Sequence, residues 1–166
     1  MESEKYHPLP QPDEVSKRER DDAMGAYLMM FAALAAGLPL PMLNLIASVI
    51  YYSVNKNKGR FVKFHCLQSL WSQLPTTALN IGLISWTIRI LVSDDRFFTD
   101  TYKGYLAMVL IVNLLYFVFS IVGAVRARQG RMYYFLFFGR LSYQSAFAIR
   151  ESSGGGTVIR ENLPPR

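Results

Sequence analysis

Catalytic signatures are missing from this chain of 166 residues: it contains no Ser-His-Asp order, no HExxH, no Walker sequence and no GxGxxG. Cysteine is almost absent. Cys66 is the only one, which excludes an intramolecular disulfide. It is expected at the membrane-facing start of a helix, where a free thiol behaves as a small hydrophobe. Histidine occurs twice, as His7 and His65. His65 adjoins Cys66, but adjacent helical residues point about 100° apart and cannot close a metal site by themselves. No metal, cofactor or catalytic residue is expected. His65 is expected instead to hydrogen-bond in the headgroup region or to a neighbouring helix.

Charge is missing from three long runs. Residues 23–52 carry none over 30 positions, residues 66–88 none over 23, and residues 105–125 none over 21. A bilayer's hydrocarbon core is crossed by about 20 apolar helical residues. The mean hydropathy of only +0.16 reflects polar ends diluting this membrane core. A net charge of +6 raises the question of nucleic acid. The basic residues flank the apolar runs instead, as the positive-inside bias demands, so no nucleic-acid partner is expected. The first 22 residues are mixed-charge and Pro-rich without an apolar h-region, so the first apolar run is expected to be a retained anchor.

Taken in order, residues 1–15 read as a disordered N-terminal tail, because Pro8, Pro10 and Pro12 cannot start a stable helix. Residues 16–128 read as the membrane domain, with Asp13 or Ser16 capping its first helix. Gly37, Pro39 and Pro41 break the first apolar run into two arms, 21–36 and 41–55. Each arm is roughly 23 Å long, short of a full crossing of about 30 Å. A hairpin with tucked ends, a re-entrant pair or one kinked crossing all suit that length. Residues 129–150 mix arginine with aromatics, which suits a segment lying in the headgroup layer. Residues 151–166 read as a flexible tail.

Charge placement chooses among these topologies. Of 18 Lys and Arg, 15 fall on one proposed side, two in the loop 93–103, and Arg89 near a helix end. Lys56, Lys58, Arg60 and Lys63 make the 55–63 loop cytoplasmic, and Arg126, Arg128, Arg131 and Arg140 do the same for the C-terminus. Loop 93–103, with Asp94, Asp95 and Asp100, is external. Lys17, Arg18 and Arg20 place the N-terminus inside, so the first run must return to its own side, as a hairpin does. The sequence thus predicts an all-α polytopic integral membrane protein. It is a small helical bundle with four hydrophobic segments, the first two a Pro/Gly-broken hairpin. Both termini are cytoplasmic, and the bacterial inner membrane is the expected location.

The central segment is residues 60–92. Wound as a helix at about 100° per residue, it gathers His65, Gln68, Ser69, Ser72, Gln73, Thr76, Asn80 and Thr87 within roughly 140°. Leu67, Leu70, Leu74, Ala78, Ile81 and Ile88 lie opposite. A polar stripe on a membrane helix must face protein or water. Three uses are open: hydrogen-bonded packing between helices, a water-lined path in an oligomer, or a small-ligand or lipid site. Pro75 frees the Trp71 carbonyl, which Ser72, Thr76 or a water can satisfy. The basic groups Lys56, Lys58, Arg60, Lys63, Arg126, Arg128 and Arg131 are candidates for contact with anionic lipid headgroups or an acidic partner.

Several stretches resemble a bacterial membrane-protein family of unknown function: GLPLPMLNLIASVIYY (37–52), VNKNKGRFVKFH (54–65), QSL (68–70) and SIVGAVRARQG (120–130) before Tyr133. That family is similar to the twenty-kilodalton membrane subunit of the chloroplast inner-envelope (Tic) protein translocon. Its usual proline after the closing tyrosine is replaced here by Leu136. The resemblance implies a four-helix membrane protein tied to protein translocation or insertion. The expected function is therefore a non-enzymatic subunit or accessory of a membrane complex, with lipids and other membrane proteins as partners and homo-oligomers possible in principle. An oligomeric pore lined by the polar face of residues 65–87, and a membrane scaffold or stress-related protein, are the alternatives.

Overall fold

The computed structural model describes residues 6–32, 41–93 and 98–149. It is built of helices: α1 (Lys17–Leu28, extended by a 3-10 turn Met29–Phe31), α2 (Pro41–Asn55), α3 (Arg60–Val92), α4 (Asp100–Arg128) and α5 (Leu136–Phe147). Of the expected features, the Gly37–Pro39 break, Asp94 and Asp95, and the tail 151–166 lie outside the described residues.

Local sequence sets the ends. Ser16 caps α1 in a capping box: its hydroxyl accepts from Glu19 N at 3.2 Å, and Ser16 N donates back to the Glu19 carboxylate at 3.1 Å. Thr99 caps α4 by accepting from Tyr102 N. At the other end of α4, Gly130 takes φ 73°, which a side chain resists. This lets Gly130 N reach Ala127 O at 2.9 Å and Arg131 N reach Arg126 O at 3.0 Å, the double bond of a Schellman stop. Pro75 sits inside α3 without ending it. Ser72 Oγ donates to Ser69 O and Thr76 Oγ1 to Gln73 O, so neither hydroxyl turns to the carbonyl that proline frees.

The long helix α3 touches every other helix. Its contacts are unevenly spread. Phe61 to Thr77 supply all of its buried residues but Ile90. Around that half pack α1, α2 and α5, together with the C-terminal half of α4. Beyond Thr77, α3 and α4 run on as a bare antiparallel pair. Ile88, Leu91, Leu110, Ile111 and Leu114 there are each more than half exposed. By length and composition α3 and α4 are the two helices able to cross a membrane, and α2 is apolar but shorter.

The arms α1 and α2 form a hairpin whose described ends lie on one side. Tyr51 Oη donates to Asp22 O at 2.8 Å, and Lys58 Nζ pairs with Asp22 at 2.9 Å. The described ends of both arms lie partway along α3. Tyr27 lies beside His65, and Gln73 Nε2 donates to Ser48 Oγ. Seven residues separate Ser48 from Pro41, a rise of about 10 Å, which brings the start of α2 level with about Asn80.

Residues 6–16 do not hang loose, as their prolines led one to expect. Tyr6 bridges to Ala148, His7 N donates to Phe147 O at 2.9 Å, and Val15 is buried against Phe61 and Ala127. Arg20 holds the strap by donating to Val15 O and Pro12 O, both at 2.9 Å. Proline forbids helix there but suits an extended strap.

Candidate functional site

The polar face of α3 turns inward and meets partners on four elements. At its head, Tyr27 Oη of α1 stands 2.9 Å from His65 Nδ1 and accepts from Gln68 Nε2 at 2.7 Å. Gln68 Oε1 accepts from Phe135 N at 3.1 Å, which pins the turn before α5. Ser69 Oγ donates to Ala26 O at 2.7 Å. His65 is fully buried, with the rings of Phe61 and Phe64 edge-on at 4.5 and 5.0 Å. Its Nε2 has no hydrogen-bond partner, and neither have Gln73 Oε1, Tyr116 Oη and Ser142 Oγ.

Further along, Asn80 and Asn113 exchange amide hydrogen bonds between α3 and α4. Asn80 Nδ2 donates to Asn113 Oδ1 at 3.0 Å, and Asn113 Nδ2 to Asn80 Oδ1 at 3.1 Å. Tyr105 Oη donates to Leu79 O at 2.9 Å, and the hydroxyls of Thr87 and Tyr102 are hydrogen-bonded at 2.7 Å. These bonds lock the register of the bare pair, where side-chain packing alone is sparse.

All the singled-out stripe residues, His65, Gln68, Ser69, Ser72, Gln73, Thr76 and Asn80, are thus brought onto one seam. The opposite face follows the helical wheel less closely. Leu74 and Ile88 are exposed, but Leu67 is buried because α2 and α5 cover more of this half than one seam requires. Cys66 is likewise not membrane-facing. It is 2% exposed, packed with Ala26 and Val62 under Tyr51 and Tyr52, because the hairpin lies over it.

The basic candidates are not gathered into one site. Lys58 is engaged with Asp22, and Arg60 Nη2 lies 3.1 Å from His7 Nε2. Lys56, Arg126, Arg128 and Arg131 are exposed and Lys63 half-buried. Among the described residues no group of three His, Cys, Asp or Glu could hold a metal ion. Two concavities matter. One, of about 350 Å³, lies under the strap between Pro8, Glu14, Arg60 and Phe147. The other, of about 180 Å³, is an apolar groove where Pro75, Tyr116, Phe119, Phe135 and Leu136 meet.

Sequence reasoning missed the partners Tyr27 and Ser48. Each sits in an apolar run where its polar atom gives no periodic signal. Asn113 was visible as a lone amide amid apolar residues, but its pairing with Asn80 was not.

Comparison with protein-family models matches residues 20–142 to the magnetosome magnetite crystal formation protein family. The chain belongs to that family. The match covers α1 from Arg20, all of α2 to α4 and about half of α5, and so spans the whole seam. It overturns the expected kinship with the Tic translocon subunit and the link to protein translocation. A Pro-broken first run and a basic turn before a long helix are demands of a charged hairpin entering a bilayer. They report architecture, so they do not separate one family of such proteins from another. No curated protein and no solved structure matches the chain. As a member of the magnetosome family with two helices able to span, it is a membrane protein.

Proposed function

We propose that the chain is a non-catalytic protein of the magnetosome membrane that acts in magnetite crystal formation as a structural component. The observation that carries this reading is the family match over residues 20–142, combined with a polar seam directed inward. The side chains of Gln68, Ser69, Ser72, Gln73, Thr76 and Asn80 each donate or accept within the chain, Gln73 through Nε2 alone. That supports packing over the pore alternative. In this reading α3 and α4 cross the membrane, and the hairpin α1–α2 enters and returns on the basic side. The basic ends face the cytoplasm and residues 93–99 face the compartment interior. Anionic headgroups contact Lys56, Lys63, Arg126, Arg128 and Arg131, and other membrane proteins assemble around the exposed apolar faces.

Two measurements test it. A fluorescent fusion of the chain should co-purify with magnetosomes, and cells lacking the chain should form crystals of altered size or shape by electron microscopy. Normal crystals in such cells would refute the functional reading. Reporters at Lys17, Lys58, Asp95 and Gly155 should read inside, inside, outside and inside. An external reporter at Lys17 would break the hairpin topology.

A further inference from the structure

We propose that the chain is a molecular wedge that prefers bilayer convex toward its basic end. This rests on the membrane placement proposed above and adds a ligand class to it: a curved membrane surface. The charge-free run of α3, residues 66–88, defines the hydrocarbon layer, and its midpoint falls near Thr77. The leaflet before that midpoint contains five kinds of backbone: α3, α4, the end of α1, α2, and the start of α5. Among the described residues, the leaflet beyond it contains α3, α4 and little more than the first turn of α2.

Depth follows from the contacts. Ser69 reaches Ala26, Phe31 stacks edge-on with Phe117 at 5.9 Å, and Gln73 reaches Ser48. The described ends of the arms therefore lie near the midplane.

The start of α5 adds a third intrusion. Phe135 stacks edge-on with Phe119 at 4.8 Å and is pinned by Gln68, so the turn dips to the depth of the Pro75 groove. Gly139 allows this, since a Cβ there would stand 2.7 Å from Tyr134 Cα. Leu136 is held at φ 39°, a conformation a leucine adopts only where its surroundings impose it. It projects outward with Phe137, at 69% and 81% exposure. On α2, Met42, Ile46 and Ile50 are each more than half exposed. These apolar side chains face the acyl chains of the same leaflet. Each added helix displaces lipid over a cross-section of roughly 100 Å². Expanding one leaflet alone stabilises the bilayer curved toward it. A closed intracellular vesicle presents its cytoplasmic leaflet on the convex side, which is where this chain is wide.

The test uses the full chain with a C-terminal fluorescent protein, reconstituted into phosphatidylcholine–phosphatidylglycerol liposomes extruded to several diameters. Protease added outside removes the fluorophore from outward-facing copies and so counts the two orientations separately. Copies with the C-terminus outward should become severalfold denser per unit area as vesicle diameter falls. Inward-facing copies should become sparser. Carbonate-resistant protein with a density independent of diameter, or with the same trend in both orientations, overturns the wedge and leaves membrane insertion standing. Protein extracted by carbonate overturns the membrane placement and the wedge together.

Discussion

The two halves of α3 are built on different principles. From Arg60 to Thr77 it is the axis of a bundle. Its polar groups bond to α1, α2 and the turn before α5, and Phe64, His65 and Gln68 are wholly buried. From Ala78 to Val92 only Ile90 is buried, and past the start of α2 the helix's one neighbour among the described residues is α4. There the amide pair Asn80–Asn113 and the hydroxyl pair Thr87–Tyr102 replace packing as the source of register. In lipid the hydrophobic effect does not drive helices together, so close packing and polar contacts must. The crowded half uses both, and the bare half relies on the second.

The comparison can be broken by substitution. The largest effect is expected for Gln68→Leu, which strands the Phe135 N–H inside the bundle and leaves the Tyr27 hydroxyl with His65 alone. At about 1–3 kcal/mol for the stranded N–H and about 0.5–1.5 kcal/mol for the lost bond to Tyr27, the loss should be roughly 2–4 kcal/mol in thermal or denaturant unfolding in micelles. Stability within about 0.5 kcal/mol of wild type would mean that the crowded half tolerates an open seam. Gly123→Val comes next. A Cβ there would stand 2.7 Å from the buried Tyr27 ring, and overpacking of this kind costs about 1–3 kcal/mol.

In the bare half, Asn80→Leu should cost about 0.5–1.5 kcal/mol, and the double variant Asn80→Leu/Asn113→Leu less than the two single losses added. Additive losses would show that the two amides act separately. Smaller still is the effect of Lys58→Ala. Its ion pair with Asp22 is partly exposed, at 33% and 20%, so screening should hold the loss to within about 0.5 kcal/mol. Ile111→Ala, on the exposed face of α4, should leave the fold standing and mark the baseline for lipid-facing positions.

Much of the frame was legible in the linear pattern. The bounds of α2 and α3 follow from Pro41, Gly59 and the charged ends of the apolar runs, and Ser16 declares its cap. The inward polar face of α3 follows from helical periodicity alone. The strap was not legible. Pro8, Pro10 and Pro12 forbid helix, but they carry no mark of the groove that Arg20, Phe61 and Phe147 form to receive them. Cys66 and Leu67 were misplaced for a related reason: a helical wheel assumes one buried side, and here several neighbours wrap one end. Family kinship was misread because turns and charge asymmetry recur wherever a hairpin meets a membrane.

What the sequence determined by itself is therefore the helices α1 to α4, their order and the polar side of Arg60–Val92. These depend on interactions close in the chain, where spacing is the geometry. Tertiary structure alone decided that the seam is closed by Tyr27, Ser48, Phe135 and Asn113, and that the closure is confined largely to one half. Those partners lie between 25 and 67 residues away in the chain. Which of many apolar segments comes to rest on which stretch of α3 is settled by shape and hydrogen-bond satisfaction across the whole bundle, and no local periodicity encodes it.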